Sequence, residues 1–296
     1  MLTGILAGLA AGALWGLVFV APKVLQGYAA VDVTVGRFVV YGAFSMLMLA
    51  MGWRSRPRPT GSQMLAAFGF SVLGFTGYYW MLAQSIVDMG PELPTLVIGT
   101  IRIWVMLLGK PTHLHWAGLL PGLLLTAAGL GLMLHAQPES QQAAHPEMLR
   151  GLLFALAALV CWTVYAVWNA AWLKRHPEVG ARDWTNWLGV SAGLGSIAIG
   201  LFVGSEPKVL LAQEGSALAA IVLIAIGVGS GWLGTTCWNL ASQRLSASLC
   251  GQLIVSETLF GLLYSFLWDG HWPSPLQWLA VVLFTLGILA SIHAHR

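Results

Sequence analysis

Two residues of opposite charge, Arg102 and Glu257, stand near the middle of apolar runs of the sequence. An unpaired charge at the centre of a membrane span costs about 2.5–3.5 kcal/mol on insertion scales, so such a residue is expected to have a partner or a function. The two residues therefore predict a buried ion pair. The pair either only holds two helices together, or it lines a site where the charges contact a charged solute or Glu257 exchanges protons.

Aromatic and polar side chains at a similar depth form a second set of candidates for binding. Trp162 and Tyr165, three residues apart, share one face of a helix, and Gln252 and Ser256, four residues apart, do the same. A cavity lined by aromatic faces and a few polar groups suits an amphipathic organic solute better than an inorganic ion. The alternative is that these aromatic side chains face lipid or neighbouring helices. The complete candidate site consists of Trp15, Tyr78, Trp80, Arg102, Trp162, Tyr165, Trp238, Gln252, Ser256 and Glu257.

The sequence contains no recognisable catalytic constellation. The segment Gly229-Ser-Gly231-Trp-Leu-Gly234 matches the G-x-G-x-x-G pattern of dinucleotide-binding proteins, but it lies inside an apolar run rather than between a strand and a helix. Cys161, Cys237 and Cys250 have no paired spacing that would suggest a metal or redox site. We therefore expect no catalysis, cofactor, metal or nucleic-acid partner. An intramembrane enzyme acting on lipids would need an acidic or histidine cluster near one membrane edge.

The elements that must position the candidate residues follow from composition. Charged residues make up 8% and hydrophobic residues 57% of the 296-residue chain, whereas soluble domains contain about 25% charged residues. Apolar runs near 20 residues, long enough to cross about 30 Å of hydrocarbon, recur throughout. These observations exclude a soluble enzyme and predict a multi-pass integral membrane protein. The predicted spans are 2–21, 33–52, 63–87, 91–109, 116–135, 151–173, 184–204, 216–238, 246–268 and 274–292.

The orientation of these spans follows from the lysines and arginines in the short loops, which are enriched on the cytoplasmic side. One side holds Arg54, Arg56, Arg58, Lys110, Lys174, Arg175, Arg182, Arg244 and Arg296, and the other holds Lys23, Arg150 and Lys208. Both termini are therefore predicted to be cytoplasmic. Arg37 lies about one turn inside the outer end of the second predicted span, so we expect its side chain to snorkel to the interface.

The chain also contains an internal repeat. A shift of 147 residues aligns Trp15 with Trp162, and a shift of 155 residues aligns Arg102 with Glu257. Because each repeat has five spans, the second begins on the opposite side of the membrane, which makes the repeats inverted. The prediction is thus an all-α membrane protein of ten transmembrane helices in two inverted five-helix repeats. The repeats are 1–135 and 151–296, joined by an extracytoplasmic linker at 136–150.

Two segments resemble the EamA-type proteins of the drug/metabolite transporter superfamily. They are the first span, with Gly4 and Trp15, and the small-residue segment that runs from Ser246 to Glu257. The similarity covers nearly the whole chain, although Thr258 stands where the family often has proline. Within the superfamily the chain looks like the YddG-type bacterial exporters of aromatic and other amino acids. The resemblance implies a basket of ten helices in the bacterial inner membrane, around a cavity bounded mainly by helices 1, 3, 4, 6, 8 and 9.

Together these features predict a secondary transporter that works by alternating access between inward-open and outward-open forms. The expected substrates are amino acids, aromatic or large and apolar, and related small metabolites, which would be exported from the cell. An alternative is efflux of cationic aromatic drugs, for which Glu257 would be the anionic partner. Uniport, exchange and proton antiport stay open. Apart from the substrate the surrounding lipid is the expected partner, and a monomer with both repeats in one chain can form a complete carrier.

Overall fold

The computed structural model describes residues 1–52, 58–89, 92–112, 114–135, 147–270 and 272–295. Throughout these residues the regular secondary structure is helical, and eight helices are long and apolar enough to cross a membrane, with two shorter apolar helices between the third and fourth. We number the ten α1 Leu2–Phe19, α2 Ala30–Met51, α3 Gly61–Asp88, α4 Val97–Leu108, α5 Trp116–Leu132, α6 Met148–Arg175, α7 Ala181–Val203, α8 Ser216–Arg244, α9 Ala247–Trp268 and α10 Pro275–Ala294.

Each predicted span overlaps one of these helices, so the helix order agrees with the sequence. The start of α2 differs, because this helix begins at Ala30 and not at residue 33. Residues 136–146 of the predicted linker lie outside the described residues, as do Arg54, Arg56 and Arg296, which were used for the orientation. The crossing of the membrane by α4 and α5 stays a prediction.

The two halves of the chain pack into each other and not side by side. Helix α1 packs against α8 and α9, and α6, its counterpart in the second half, packs against α3 and α4. Equivalent helices also pack together, α2 with α7, α4 with α9 and α5 with α10, and α2 packs against α8 as α7 packs against α3. Exchanging the halves leaves this pattern unchanged, which is the pattern that a pseudo-two-fold axis produces.

Interruptions of the helices follow the same correspondence. Helix α3 contains a π-helical segment at Val72–Thr76, and α8 contains one at Gly227–Gly234. The first residues of these segments are 155 positions apart, the separation that relates Arg102 to Glu257. Helices α4 and α9 are broken by a turn at Thr100 and at Ile254, respectively. Such irregular turns free backbone groups from the regular ladder and often occur at functional sites.

Glycine allows α1 to approach α9 closely. A Cβ atom added to Gly12 would lie 2.9 Å from the backbone nitrogen of Glu257, and one added to Gly16 would lie 2.9 Å from that of Gly261. Helices packed in lipid gain from such close contact because van der Waals packing there replaces the hydrophobic effect. The glycines of α1 thus fix the position of α9 and of the glutamate that it carries.

The outer surface of the helix bundle is apolar. Large side chains that are more than four-fifths exposed include Leu201, Phe202 and Trp272. Soluble monomers do not present such surfaces widely, whereas a protein surrounded by lipid does. The surface therefore agrees with the membrane environment that the composition predicts.

Candidate functional site

Three tryptophans from three helices meet near the centre of the bundle. Trp15 of α1, Trp162 of α6 and Trp238 of α8 have ring centroids 6.4, 5.5 and 6.1 Å apart, taken in the pairs 15–162, 15–238 and 162–238. These distances are favourable for aromatic pairs. Trp238 is fully buried, whereas Trp15 and Trp162 are partly exposed. We call these three residues the tryptophan triad; its two partly exposed rings offer a face to a solute.

The irregular backbone of α8 holds the triad. The indole Nε1 of Trp15 donates a hydrogen bond to the carbonyl oxygen of Ser230, at 3.1 Å. Ser230 belongs to the π-helical segment of α8, whose widened turn presents this carbonyl to another helix. The internal repeat placed Trp15 and Trp162 at equivalent depths, but the acceptor for Trp15 was not apparent from the sequence.

Arg102 and Glu257 lie close enough to interact electrostatically with each other and with Tyr78. Both charged side chains are partly exposed. Among the described residues no ion pair within 4 Å joins them, so they are not the tight pair that the sequence suggested. Arg102 donates only a long hydrogen bond, 3.4 Å, to the carbonyl oxygen of Gly99 one turn earlier. The two charges therefore interact without direct contact between their charged groups.

Arg37 does not snorkel, which corrects the expectation from the sequence. It is 7% exposed, and its Nη2 donates a hydrogen bond of 3.0 Å to the hydroxyl of Tyr79. The guanidinium lies 4.5 Å from the ring centroid of Phe38 and 5.1 Å from that of Tyr79. Glu257 interacts electrostatically with Arg37 as well as with Arg102. Arg37 lies two turns inside α2, and the aromatic rings of Phe38 and Tyr79 attract its guanidinium.

Tyr165 contacts the triad, and Tyr78 belongs to the same hydrophobic cluster. Tyr78 is buried in the same cluster as Trp238, with Trp15 and Trp162 packed against that cluster. Tyr165 is 2% exposed, and its ring lies 6.0 Å from that of Trp162. Their role in binding stays a prediction.

Trp80 packs elsewhere. Its ring contacts Phe154 at a centroid distance of 5.6 Å, and its side chain is 38% exposed. It lines a cavity of about 140 Å³ between α2, α3 and α7 together with Phe38 and Tyr79. Trp80 is therefore at the edge of the region that includes Arg37, and its ring contact is not with the triad.

Gln252 and Ser256 are fully buried, and protein atoms use their polar groups. Gln252 donates to Thr126 of α5 at 3.0 Å through Nε2, and its Oε1 accepts from the same hydroxyl at 3.3 Å. The Ser256 hydroxyl donates to the carbonyl oxygen of Leu253 at 2.6 Å. Gln252 thus joins α9 to α5, whereas the Ser256 hydroxyl is used within α9.

A buried amide network joins α6, α7 and α8 near one end of the bundle. Asn169 of α6 donates to Asn239 of α8 at 3.0 Å, and Asn239 donates to the hydroxyl of Thr185 at 2.9 Å. The indole of Trp184 donates to Asn169 at 2.7 Å. All four side chains are fully buried. They lie near the ends of α6 and α8 and the start of α7, on the side predicted to be cytoplasmic.

Burial changes abruptly at the level of the central charges. In α9, residues 248–256 are all buried, whereas residues 257–260 are partly exposed. Helix α3 does not show the same division, because residues 74–76 are buried but most of residues 61–73 are exposed, as are parts of residues 79–84. The change in burial along α9 therefore coincides with Glu257.

Comparisons with known proteins agree with this fold. Residues 149–292 match the model of the EamA-like transporter family. The Inner membrane protein YtfF of Escherichia coli (strain K12) is 30% identical, over 99% of this chain and 96% of that protein. A solved protein crystal structure superposes with a TM-score of 0.76 at 20% identity, over 99% of this chain and 97% of that one. The protein is thus a multi-pass inner-membrane transporter of small solutes, and it belongs to the EamA-like transporter family of the drug/metabolite transporter superfamily.

Proposed function

We propose that the protein is a secondary transporter that exports amino acids with aromatic or large apolar side chains, and related small metabolites. The observation that carries this proposal is that the tryptophan triad shares a hydrophobic cluster with Tyr78, which interacts electrostatically with Arg102 and Glu257. Indole faces accept an apolar or aromatic body, and groups of opposite charge suit the two ends of an amino acid. A solute that has both parts fits this centre better than an inorganic ion does.

The transport cycle in this proposal is alternating access. The ten helices cross the membrane as two inverted repeats with both termini in the cytoplasm, so the two halves can exchange conformations. The symmetric packing of α1 and α6 and the paired interruptions of α3 and α8 support this arrangement. With this orientation the amide network lies on the cytoplasmic side of the bundle. In the proposed cycle this conformation is open to the periplasm.

A second candidate is efflux of cationic aromatic drugs. The partly exposed indoles of Trp15 and Trp162 near Glu257 favour it, because an aromatic face and a carboxylate both attract cations. Arg102 and Arg37 oppose it, since both interact electrostatically with Glu257 and would repel a cationic solute. The charges therefore favour an amino acid over a cationic drug.

Counterflow in liposomes distinguishes the two candidates. Purified protein is reconstituted with unlabelled phenylalanine inside, and uptake of labelled phenylalanine, leucine, glycine or a cationic dye is measured with and without a pH gradient. We expect phenylalanine and leucine to exchange and glycine to exchange far less. Dependence on the pH gradient identifies proton coupling. Liposomes that contain unlabelled dye are measured in the same way. Exchange of the dye without exchange of any amino acid would overturn the proposal.

A further inference from the structure

The charges at the centre of the bundle do not balance. In the described helices, Arg37, Arg102 and Glu257 are the charged side chains that lie away from the helix ends, and their formal charges sum to +1. A charge in a region of low dielectric is stable only when an opposite charge or hydrogen bonds compensate it. Protonation of Glu257 would raise the summed charge further, so the sum is positive whether or not this glutamate is protonated. The centre lacks one negative charge.

Hydrogen-bond donors are also in excess there. The Nε atoms of Arg37 and Arg102 and the indole Nε1 of Trp238 are buried and have no hydrogen-bond partner among the described residues. Buried donors without acceptors cost free energy, so such groups usually indicate a missing partner. Two of the three belong to guanidinium groups, which bind carboxylates particularly well because they present several donors in one plane.

Arg37 is held in a way that leaves it ready to bind an anion. Its hydrogen bond to Tyr79 uses Nη2, and the rings of Phe38 and Tyr79 support the plane of the guanidinium. These contacts fix the side chain but do not neutralise its charge. Because Glu257 interacts electrostatically with both arginines, Arg37 and Arg102 belong to the same centre although they come from α2 and α4.

We propose that this centre prefers solutes of net charge −1, namely carboxylates on an aromatic or large apolar body, over the zwitterion or cation with the same body. N-acylated amino acids and 2-oxo acids are members of this class. Arg37 is the residue that sets the preference, since its charge is the one left unbalanced when Arg102 and Glu257 offset each other. The inference rests on the proposed function in that it uses the same site and the same apolar selectivity.

A series of solutes with one benzyl body and different charge tests the preference. Counterflow is measured for N-acetylphenylalanine (net −1), phenylalanine (net 0) and phenylalaninamide (net +1). We expect exchange to fall in that order, with N-acetylphenylalanine ahead of phenylalanine by about tenfold, as expected for one additional charge-assisted hydrogen bond.

Variants of Arg37 test its role. Arg37→Gln is expected to lower the ratio of N-acetylphenylalanine to phenylalanine exchange by about tenfold, because the guanidinium charge is lost. Arg37→Lys keeps the charge and should retain most of the ratio. Arg182→Gln, which removes an exposed arginine from the start of α7, is the matched control and should leave the ratio unchanged. The melting temperature and the size-exclusion profile of each variant report whether it folds.

The outcomes separate this inference from the proposed function. Exchange of phenylalanine without N-acetylphenylalanine overturns the inference and leaves the proposed function standing. Exchange of N-acetylphenylalanine alone supports the inference and rejects amino acids as substrates. A folded Arg37→Gln protein with an unchanged ratio overturns the role of Arg37. If Arg37→Gln does not fold, the solute series with the wild type and the exchange ratio of Arg37→Lys test the inference instead. Phenylalaninamide as the best substrate would contradict the inference.

Discussion

At the level of single residues, the candidate side chains differ in whether protein atoms already use their polar groups. Gln252 and Thr126 satisfy each other inside the packing between α9 and α5. Arg37, Arg102 and Trp238 instead keep buried donors that have no partner among the described residues. A group that is already satisfied stabilises the fold, whereas an unsatisfied one is available to a ligand. The available donors are thus better candidates for substrate contact than the polar stripe of α9.

Gln252→Ala should therefore affect stability more than selectivity. The change leaves the Thr126 hydroxyl without its partner, and interhelical hydrogen bonds in membranes contribute about 0.6 kcal/mol on average, up to about 1.7. We expect a lower melting temperature and unchanged relative uptake of phenylalanine and leucine. Thr126→Val should have a similar effect, and the double variant should lose less than the sum of the two. A changed substrate preference in Gln252→Ala would place this side chain in the site.

The positions of Trp15 and Trp162 could be predicted from the sequence, but the position of Arg37 in α2 could not. Trp15 and Trp162 lie at equal depths in the two repeats, and that depth is visible in the apolar pattern. The inward position of Arg37 depends on its contacts with Phe38 and with Tyr79, which belongs to another helix. The pattern also could not show that Gln252 faces Thr126, because the two are 126 positions apart. Partners distant in sequence decide which face of a helix is buried.

At the level of helices, close packing and irregular turns together position the centre. The glycines of α1 bring α9 within backbone contact next to Glu257, and the π-helical segment of α8 supplies the acceptor for Trp15. The sequence shows the glycine stripe directly, since its period of four matches one helical face. It does not show the π-helical segments, because their geometry depends on the neighbouring helices. Helix order is therefore predictable, and helix irregularity is not.

A leucine in place of Gly12 should disrupt the contact between α1 and α9. The first added carbon would already lie 2.9 Å from the backbone nitrogen of Glu257, which cannot move without shifting the helix. Overpacking of this kind costs about 1–3 kcal/mol or more. We expect Gly12→Leu to lower the yield of folded protein and its melting temperature. Gly69→Leu is the matched control, since a Cβ atom there has no neighbour within 4 Å. Equal stability of the two variants would contradict this packing.

At the level of the whole molecule, the amide network of Asn169 and Asn239 lies toward the end predicted to be cytoplasmic, and the change from buried to partly exposed residues in α9 occurs at Glu257. If the two halves form the predicted inverted repeat, the same packing can form at the other end, which would give the proposed alternating access a structural basis. Glu257 lies at the level where the two packings would exchange.

Cysteine labelling tests both the orientation of the protein and the burial of the first part of α9. In a background in which the three native cysteines are replaced by serine or alanine, Glu257→Cys and Ser248→Cys are treated with a membrane-impermeant thiol reagent. Glu257 is partly exposed and Ser248 is fully buried in the half assigned to the cytoplasm. We expect the cysteine at 257 to react from the periplasmic side and that at 248 to be protected from the cytoplasmic side. The opposite labelling would reject the assigned orientation.

The most direct measurement is counterflow of labelled phenylalanine by wild-type protein, Trp162→Ala and Trp272→Ala in liposomes. Trp162 belongs to the triad, whereas Trp272 is 88% exposed on the outer surface. Truncation of an aromatic side chain that anchors a ligand typically costs about 2 kcal/mol or more, so exchange by Trp162→Ala should fall at least about tenfold. Trp272→Ala should exchange like the wild type. Equal exchange by Trp162→Ala and the wild type, or no exchange by the wild type, would contradict a substrate site at the triad.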